Sequence, residues 1–480
     1  MKHSFALVAC VFLLTLSLAL SGCTLFSGTP QEKPPKNTES TSGEDTVVKS
    51  PIDNALFYET VSDAYLESIP REDYNGASFL ITAPRTDVLF PDDTALVYSA
   101  KKHERNQRVE DLFELSLTDA IIDENTFPAL VRASMQAEEY YSDLLMIPQY
   151  QIGAFVANGS LLNLNSLPFL DLSKPYFNAD SIEAATVNKA IYAAAGAASF
   201  EPATLTAVFL NRDLFTENNL PLPYEKVKDG TWTWDALLAL GTAVSEINAN
   251  SGKSLASYCT EYAADTLASA IFFSAGGKFV RQNDDAPYIA YSETDRTAAS
   301  FIEAVFSDKN VLKGTSAVSR FYAGESLFLM DRLYLMDWMI NGRVNWGIVP
   351  LPKESESQKD YVSLSDECAL FFATPRNNIH AARTAHILSA LNAAHYGVIN
   401  DAYITHTLYH TVRDNDTANM LGIIMNSRTY DFAFSFGRTD ETLAKVSYLG
   451  MNELVGNRPF DDFLKRITET DTHLKKAYAE

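Results

Sequence analysis

The sequence is short of positive charge, and this shortage excludes several kinds of partner. Among 480 residues, 38 are lysine or arginine and 61 are aspartate or glutamate, which gives a net charge of -23 at pH 7. Nucleic-acid binding needs clustered lysine and arginine, and attraction to an anionic membrane surface needs a basic face. We therefore expect no nucleic acid as a partner and no basic membrane-binding face.

Long apolar runs are also scarce. After the first 20 residues, no segment reaches the ~20 continuous apolar residues of a membrane-spanning helix. Apolar residues nevertheless make up 46% of the chain. A chain of this length and composition can form two or more lobes, each with its own core. We expect a globular body with more than one lobe.

The chain has only four cysteines. Cys10 lies in the apolar run near the start, and Cys23 follows that run. Cys259 and Cys368 are far apart in the sequence, and an exported chain would allow a disulfide between them. Because the sequence does not show that their Cβ atoms approach, we expect two isolated buried thiols.

Catalytic motifs are absent as well. The sequence has no Gly-x-Ser-x-Gly elbow and no phosphate-binding loop. His406 and His410 are four positions apart, but no glutamate follows His406 as in zinc proteases, and two histidines leave a zinc site short of ligands. We therefore predict no enzyme, no cofactor and no metal. Acid pairs such as Asp92 and Asp93 keep a glycoside hydrolase open as an alternative, and a metal or peptide binder is a second alternative.

The start of the chain has the features of an export signal. Lys2 supplies a positive charge, residues 5–20 are almost all apolar, and Leu-Ser-Gly leads directly to Cys23. This order resembles the bacterial lipoprotein signal, in which the cysteine receives a diacylglyceryl group and the chain is cut just before it. The resemblance implies a signal peptide at 1–22, lipidation of Cys23 and a position outside the cytoplasm, held to the bacterial cell membrane by the lipid. An ordinary secretory signal that contains a cysteine is the alternative.

A polar segment follows Cys23. Residues 24–54, TLFSGTPQEKPPKNTESTSGEDTVVKSPIDN, are rich in Pro, Ser, Thr, Lys and Glu and poor in aromatics. Such a segment cannot bury enough apolar area to offset the entropy of ordering it. We predict a flexible tether over 23–73, with a reach of about 30 Å for its polar part.

The body shows alternating strand and helix patterns. The predicted strands of a first unit are SFLITAP, LFELSLTDAII and SDLLMIP, with helical patterns between them. A second unit has strands in TAVFLNRDLF, FYAGESLFLMD and VNWGIVPLP. Thr233 and Asp265 are the predicted N-caps of two of its helices. This alternation predicts parallel sheets covered on both faces, with ligands bound beyond the carboxyl ends of the strands.

The order of these features resembles the extracellular solute-binding proteins of ABC importers, in their large sugar-binding branch. The matching stretches lie between about residue 75 and residue 434 and are ERNQRVEDLFELSLT, SDLLMIPQYQIGAFVANGSLLNLNSLP, TAVFLNRDLF, GTWTWDALLAL, FFSAGGKF, FYAGESLFLMDRLYL, WGIVPLPK and TVRDNDTANMLGIIMNSRTYDF. Their ordered spacing carries the resemblance. The chain does not reproduce the tryptophan-rich sites of maltodextrin binders.

The resemblance implies an α/β, two-lobed periplasmic-binding-protein-like fold, in which each lobe is a mainly parallel sheet flanked by helices and joined by hinge crossovers. Lobe I is expected at 74–198 with about 373–425, and lobe II at about 199–372 with 426–480. The implied function is capture of a mono- or oligosaccharide by lobe closure and its delivery to an ABC permease. We expect a monomer.

Candidate ligand contacts from lobe I follow its predicted strands. Sugar sites combine flat aromatic faces with planar polar groups that bond hydroxyls. Arg85 follows the first strand, and Gln149, Tyr150 and Gln151 follow the third. In the resembling family the loop after this third strand reaches ligand. A solvent-facing loop is the alternative.

Candidate contacts from the crossovers are Glu201, Thr204 and Asp366. Glu201 and Thr204 lie where the resemblance places the first crossing between lobes, and Asp366 lies where the chain crosses back. An acid in a crossover can equally form a hinge hydrogen bond, so both roles stay open.

The last candidates lie at the lobe II edge of the expected cleft. Asp331, Arg332 and Tyr334 follow an apolar strand. A mutual ion pair between Asp331 and Arg332 is the alternative to ligand contact.

Overall fold

Two large β-sheets organise the described part of the chain. The computed structural model describes residues 51–92, 96–283, 286–314, 316–339, 344–412, 414–456 and 458–478. The predicted signal peptide, Cys23 and the predicted tether up to residue 50 lie outside the described residues, so those assignments stay predictions.

Strands and helices alternate along most of the chain. The strands are β1 Ala77–Ala83, β2 Leu115–Ile121, β3 Leu144–Pro148, β4 Thr186–Val187, β5 Ala190–Ile191, β6 Thr206–Asn211, β7 Ala256–Thr260, β8 Arg281–Gln282, β9 Pro287–Tyr288, β10 Val311–Lys313, β11 Ser326–Arg332, β12 Trp346–Val349, β13 Ser363–Leu364, β14 Leu370–Ala373 and β15 Arg428–Thr429. The helices are α1 Pro51–Glu67, α2 Val97–Phe113, α3 Phe127–Ala137, α4 Ile152–Ala157, α5 Ala179–Ala184, α6 Arg212–Glu217, α7 Tyr224–Lys228, α8 Trp234–Ser251, α9 Ala264–Ser274, α10 Glu293–Ser307, α11 Ala317–Tyr322, α12 Leu335–Met339, α13 Ala381–His395, α14 Val398–His406, α15 Asn415–Asn426, α16 Phe432–Phe436, α17 Glu441–Val446, α18 Tyr448–Val455 and α19 Phe460–Ala477.

The first sheet has the strand order β14-β3-β1-β2. β1 pairs with β2 in parallel along its whole length, from Ala77 opposite Leu115 to Ala83 opposite Ile121. β3 is also parallel to β1, whereas β14 is antiparallel to β3. We call this sheet and its helices lobe I.

The second sheet has the order β10-β7-β11-β6-β12. β10, β7 and β11 are parallel to one another, and β6 is antiparallel to both β11 and β12. β12 therefore runs in the same direction as β11. We call this sheet and its helices lobe II.

In each sheet one strand runs against the others, and it is the strand by which the chain enters from the other lobe. β6 begins beside the end of β11, with Thr206 opposite Arg332. β14 begins beside the end of β3, with Leu370 opposite Pro148. The strand that follows a crossover starts at the hinge and runs away from it. The other strands of the same sheet run toward the hinge and end beside it. The predicted mainly parallel lobes are thereby confirmed.

The crossing segments lie side by side. Leu205 forms an antiparallel bridge with Ser365, and the Asp366 amide donates a 3.0 Å hydrogen bond to the Thr204 carbonyl. On the other side, the Ser365 amide donates to the Thr429 carbonyl at 3.0 Å. Three crossing segments therefore form a hydrogen-bonded hinge. Because β14 already belongs to the first sheet, the chain returns to lobe I slightly before the predicted boundary at 372.

Apolar side chains on both faces of the sheets form the cores. One core joins Phe79 and Met146 of the first sheet to Val109 of α2 and Leu391 of α13. The other covers the opposite face of that sheet and continues through lobe II. β3, β6 and β12 are entirely buried and nearly continuous apolar runs, as expected for strands buried on both faces, whereas β2 is largely exposed.

Helix starts followed the sequence signals in one case and departed from them in another. The Thr233 hydroxyl caps α8 by accepting a hydrogen bond from the Ala236 amide. α9 begins one residue before Asp265 and has no side-chain cap bond, so the predicted Asp265 cap is wrong. Asp265 lies in the first turn, where negative charge suits the helix dipole.

α1 lies inside the segment predicted as tether and packs on α13 and α14. The Leu66 side chain is buried, and the Ser62 hydroxyl donates to the Ala394 carbonyl at 2.8 Å. Arg105, itself buried, donates to Ser62 and to Asp63. The predicted tether of 23–73 therefore does not extend through α1. The prediction extended the tether too far because α1 packs on α13, and the local sequence does not show this long-range contact.

The two described cysteines are free. Cys259 is buried as expected, but Cys368 is exposed, because it lies in the second crossing segment rather than in a core. Among the described helices, none combines the length and the hydropathy of a membrane span.

Candidate functional site

The carboxyl ends of strands from both lobes meet at the hinge. Arg85 follows β1 and Tyr150 follows β3, while Arg332 ends β11. The structure thus brings together residues that are up to 353 positions apart in the sequence, from Arg85 to Arg438. We call the following set the crossover site: Arg85, Glu124, Tyr150, Glu201, Tyr262, Arg332, Tyr334, Asp366, Glu367 and Arg438.

Arg85 is tied to the first crossing segment. Its Nη1 atom donates to Glu201 Oε1 at 2.9 Å, and its Nη2 atom donates to the other carboxylate oxygen. Asp87 lies 3.7 Å from the same guanidinium. Burial alone would lower the pKa of Arg85, but the hydrogen bonds and charge of Glu201 raise it above its usual value. Glu201 therefore forms the hinge bond that the sequence left open as an alternative.

Arg332 is tied to the second crossing segment. Its Nη1 atom donates to Asp366 Oδ2 at 2.8 Å. Its guanidinium carbon lies 4.7 Å from the ring centroids of both Tyr262 and Tyr334. Burial raises the pKa of Asp366, although the Arg332 charge opposes this shift. The two tyrosine rings therefore hold the planar Arg332 cation on the lobe II side of the crossover site.

Asp331 does not pair with Arg332 through its side chain. Its carboxylate is buried and accepts backbone hydrogen bonds from Glu261 and Tyr262, each at 3.1 Å. A further bond comes from the backbone amide of Arg332. Burial raises the pKa of Asp331, and these amides oppose the shift. The carboxylate joins the ends of β7 and β11, so its position is structural.

Thr204 lies within the hinge. Its hydroxyl donates to the Glu201 carbonyl at 2.8 Å and meets the Ser365 hydroxyl at 2.9 Å. The residue is buried. Thr204 holds the first two crossing segments together instead of presenting a polar group to the surface.

Tyr150 is half-buried between two charged side chains. Its hydroxyl donates to Glu124, and the Arg438 guanidinium carbon lies 4.9 Å from its ring centroid. Arg438 in turn pairs with Glu367. Burial, and then the hydrogen bond to Glu124, raise the pKa of Tyr150. One face of the ring is therefore covered by the arginine.

The glutamines beside Tyr150 are buried. The Gln149 amide group donates to the Asp431 carbonyl at 2.9 Å, and that of Gln151 donates to the Glu124 carbonyl at 2.8 Å. Their carbonyl oxygens meet no hydrogen-bond partner among the described residues. The amide N–H groups of both side chains therefore donate to backbone carbonyls within the fold.

The sequence prediction missed Glu124, Tyr262 and Arg438. Glu124 follows β2 and Tyr262 follows β7, so the rule of strand ends would have identified both. Arg438 follows α16, and no local pattern indicates a site there. It lies beside Tyr150 only because the chain crosses between the lobes for a third time near Thr429.

Two surface grooves lie away from the crossover site. One, of about 460 Å³, lies between the hairpins β4-β5 and β8-β9 and is lined by Thr186, Lys189 and Gln282 among others. The other, of about 330 Å³, is lined in part by Tyr192 and Arg376. In the part of the chain that the structure describes, no group of three acidic, histidine or cysteine side chains is arranged to hold a metal ion.

Comparison with known proteins places the fold. No family model matches the chain, and no curated protein matches it in sequence. The sugar-binding protein MalE from Xanthomonas citri matches in structure with a TM-score of 0.55 at 11% identity, over 83% of this chain and 97% of that one. This chain has the solute-binding-protein fold.

Two further solved structures agree with this assignment. The GacH receptor of Streptomyces glaucescens, described unliganded and with acarbose, matches with a TM-score of 0.52 at 13% identity, over 84% of this chain and 98% of that one. The galacto-N-biose-/lacto-N-biose I-binding protein of the ABC transporter from Bifidobacterium longum matches with a TM-score of 0.51 at 14% identity, over 85% and 98%. The two-lobed solute-binding-protein fold predicted from the sequence is therefore confirmed.

Proposed function

We propose that this protein captures a mono- or oligosaccharide at the crossover site and delivers it to the permease of an ABC importer. The observation that carries the proposal is the meeting of strand ends from both lobes at a hinge, with tyrosine rings, guanidinium groups and carboxylates in one place. Such groups pair with sugar hydroxyls and with the apolar faces of sugar rings. The structurally similar proteins are sugar receptors by their own descriptions, which supports the same class of ligand.

Closure of the lobes is the proposed mechanism. A ligand that contacts lobe I through Arg85 and Tyr150, and lobe II through Arg332, binds best when the lobes approach. It therefore shifts the population to the closed state. The crossing segments supply the hinge, because they are short and are hydrogen-bonded to one another.

The proposal includes a position on the outer side of the bacterial cell membrane. A lipid on Cys23 and the following polar segment would hold the body near the permease while leaving it free to move. We propose that the protein works as a monomer without catalytic activity.

A thermal-shift screen over a panel of saccharides tests the proposed function. A ligand at 100 times its dissociation constant adds about 2.7 kcal/mol to the free energy of unfolding, which raises the melting temperature. We expect at least one saccharide to do so, whereas zinc and short peptides leave the melting temperature unchanged. Shifts with zinc or peptides alone would contradict the proposal, and release of free sugar from glycosides would favour a hydrolase.

A further inference from the structure

The lobe II wall of the crossover site is a stack of tyrosine, arginine and tyrosine. The Arg332 guanidinium lies between the rings of Tyr262 and Tyr334, at 4.7 Å from each. A planar cation binds aromatic faces well, so one face of each ring is already occupied by the chain itself. The ring faces on the arginine side of this stack are therefore not open to a ligand.

Two polar atoms of the stack are unsatisfied. The hydroxyl oxygen of Tyr262 and the Nε atom of Arg332 are buried, and neither meets a hydrogen-bond partner among the described residues. Buried polar groups without partners are costly and are rare in folded proteins, so each needs an explanation. Both atoms lie where β7 and β11 end beside the hinge. Their common location indicates a place for a ligand group.

The charges around the stack restrict that group. Asp366 already pairs with Arg332 at 2.8 Å, and the buried Asp331 carboxylate lies at the end of the same strand. A ligand carboxylate would add a further negative charge beside these two acids. A neutral group with several oxygen atoms avoids that repulsion and can still accept hydrogen bonds from a guanidinium.

We propose that Tyr262 and Arg332 are the specificity-determining contacts of lobe II, and that they bind neighbouring hydroxyls of a neutral saccharide. The Tyr262 hydroxyl can both donate and accept, and the guanidinium donates, which matches a vicinal diol. The inference rests on the proposed function, because it assumes a saccharide at the crossover site. It adds that lobe II recognises the saccharide by its hydroxyls rather than by stacking on its ring.

The variant Tyr262→Phe tests this inference directly. It keeps the ring that packs against Arg332 and removes only the unsatisfied hydroxyl. With the saccharide that gives the largest thermal shift, we expect calorimetry to show an affinity about 3- to 10-fold weaker, the scale of one hydrogen bond. The melting temperature of the free protein should stay the same or rise, because a buried hydroxyl without a partner is lost.

Tyr291→Phe is the matched control. Tyr291 also belongs to lobe II, and its hydroxyl is also buried without a partner among the described residues. Its ring packs against Phe272, Phe460 and Phe463, outside the crossover site. We expect this variant to bind the saccharide as the wild type does.

Arg332→Lys provides a second test, because it keeps the charge but loses the planar fork. We expect binding to weaken tenfold or more in this variant. Equal affinity in Tyr262→Phe and wild type, or a loss of affinity that is the same in the Tyr291→Phe control, would overturn the inference. If no saccharide binds the wild type, the proposed function is wrong, and this inference, which depends on it, is wrong as well.

Discussion

The arginines of the crossover site act in pairs with carboxylates. Arg85 pairs with Glu201 and Arg332 with Asp366, and each pair joins a strand end to a crossing segment. Partly buried pairs of this kind fix side-chain positions more than they add stability, because both charges lose water. The sequence identified all four residues, but it did not identify the pairing. A pair of Arg332 with Asp331 was one of two alternatives, and the partner that the structure gives Arg332 is Asp366, 34 positions further on.

Replacing Tyr150 should weaken binding. Tyr150→Ala removes the ring held between Glu124 and Arg438, and we expect a loss of roughly 1–3 kcal/mol in the free energy of saccharide binding, the scale of one large side chain. Tyr150→Phe keeps the ring and should lose little. Calorimetry with the best saccharide compares the two variants, and equal affinity in Tyr150→Ala and wild type would exclude the ring from the site.

Asp431 should make stability depend on pH. Burial raises the pKa of this carboxyl to about 7, although the amides of Ala433 and Val280 oppose the shift. In the unfolded chain the pKa is about 3.9. Stability from this group is therefore present below pH ~4 and is lost as the pH rises from ~4 to ~7, because the unfolded chain ionises first.

Asp431→Asn should remove this dependence while keeping an oxygen for the Ala433 amide. We expect the variant to melt above the wild type at pH 8 and to approach it near pH 4. Between these two pH values, the free energy of unfolding of the variant relative to the wild type should change by on the order of 4 kcal/mol. Asp440→Asn is the control of opposite sign. Burial would raise the pKa of Asp440, but its bonds to His473 and the Leu443 amide lower it, so this variant should melt below wild type at pH 8. A difference for Asp431→Asn that does not change with pH would contradict the expectation.

At the level of elements, six of the nine strands in the two large sheets were predicted and α1 was not. β1, β3 and β6 are short apolar runs that end at proline or at a polar turn, and Thr233 marks the start of α8. α1 has no such signal, because its buried residues are few and its partner is α13, more than 300 positions away. The polar composition that predicts a tether covers residues 24–54, and most of α1 lies beyond it.

Truncation separates the tether from α1. A soluble chain that starts at Pro51 should melt at the same temperature as one that starts at Thr24. A chain that starts at Ser68 should melt several degrees lower, because it loses Leu66 and leaves the buried Arg105 without two of its partners. Equal melting of all three chains would show that α1 contributes nothing to the fold.

At the level of the whole molecule, neither lobe is a continuous stretch of sequence. The first sheet takes β14 from a segment that follows the entire second sheet. Local patterns predicted several of the strands and helices, but they contain no information on which lobe a late strand joins. The resemblance to solute-binding proteins predicted a return to lobe I at about residue 373, which is the last residue of β14, and the lobe boundaries stay predictions.

The predicted lipid anchor on Cys23 concerns the whole molecule, because it determines where the protein is located. Cys23→Ser should abolish incorporation of labelled fatty acid and leave the protein either uncleaved or released from the membrane fraction. Cys368→Ser is the control, since it removes an exposed thiol from the body and should leave both unchanged. A Cys23→Ser protein that is processed and retained like the wild type would contradict the lipid assignment.

The late arrival of β14 sets the timing of folding during synthesis. β3 is an entirely buried apolar strand, and β14 covers its free edge in the finished molecule. About 220 residues separate the two strands, which at ~5–20 residues per second amounts to roughly 10–45 s of synthesis. Throughout that interval the nascent chain carries an uncovered apolar strand edge, a surface that favours aggregation. Because the proposed position is outside the cytoplasm, β14 can cover this edge only after the chain has crossed the membrane, so a chaperone that binds extended apolar segments should associate with the chain until then and dissociate afterwards.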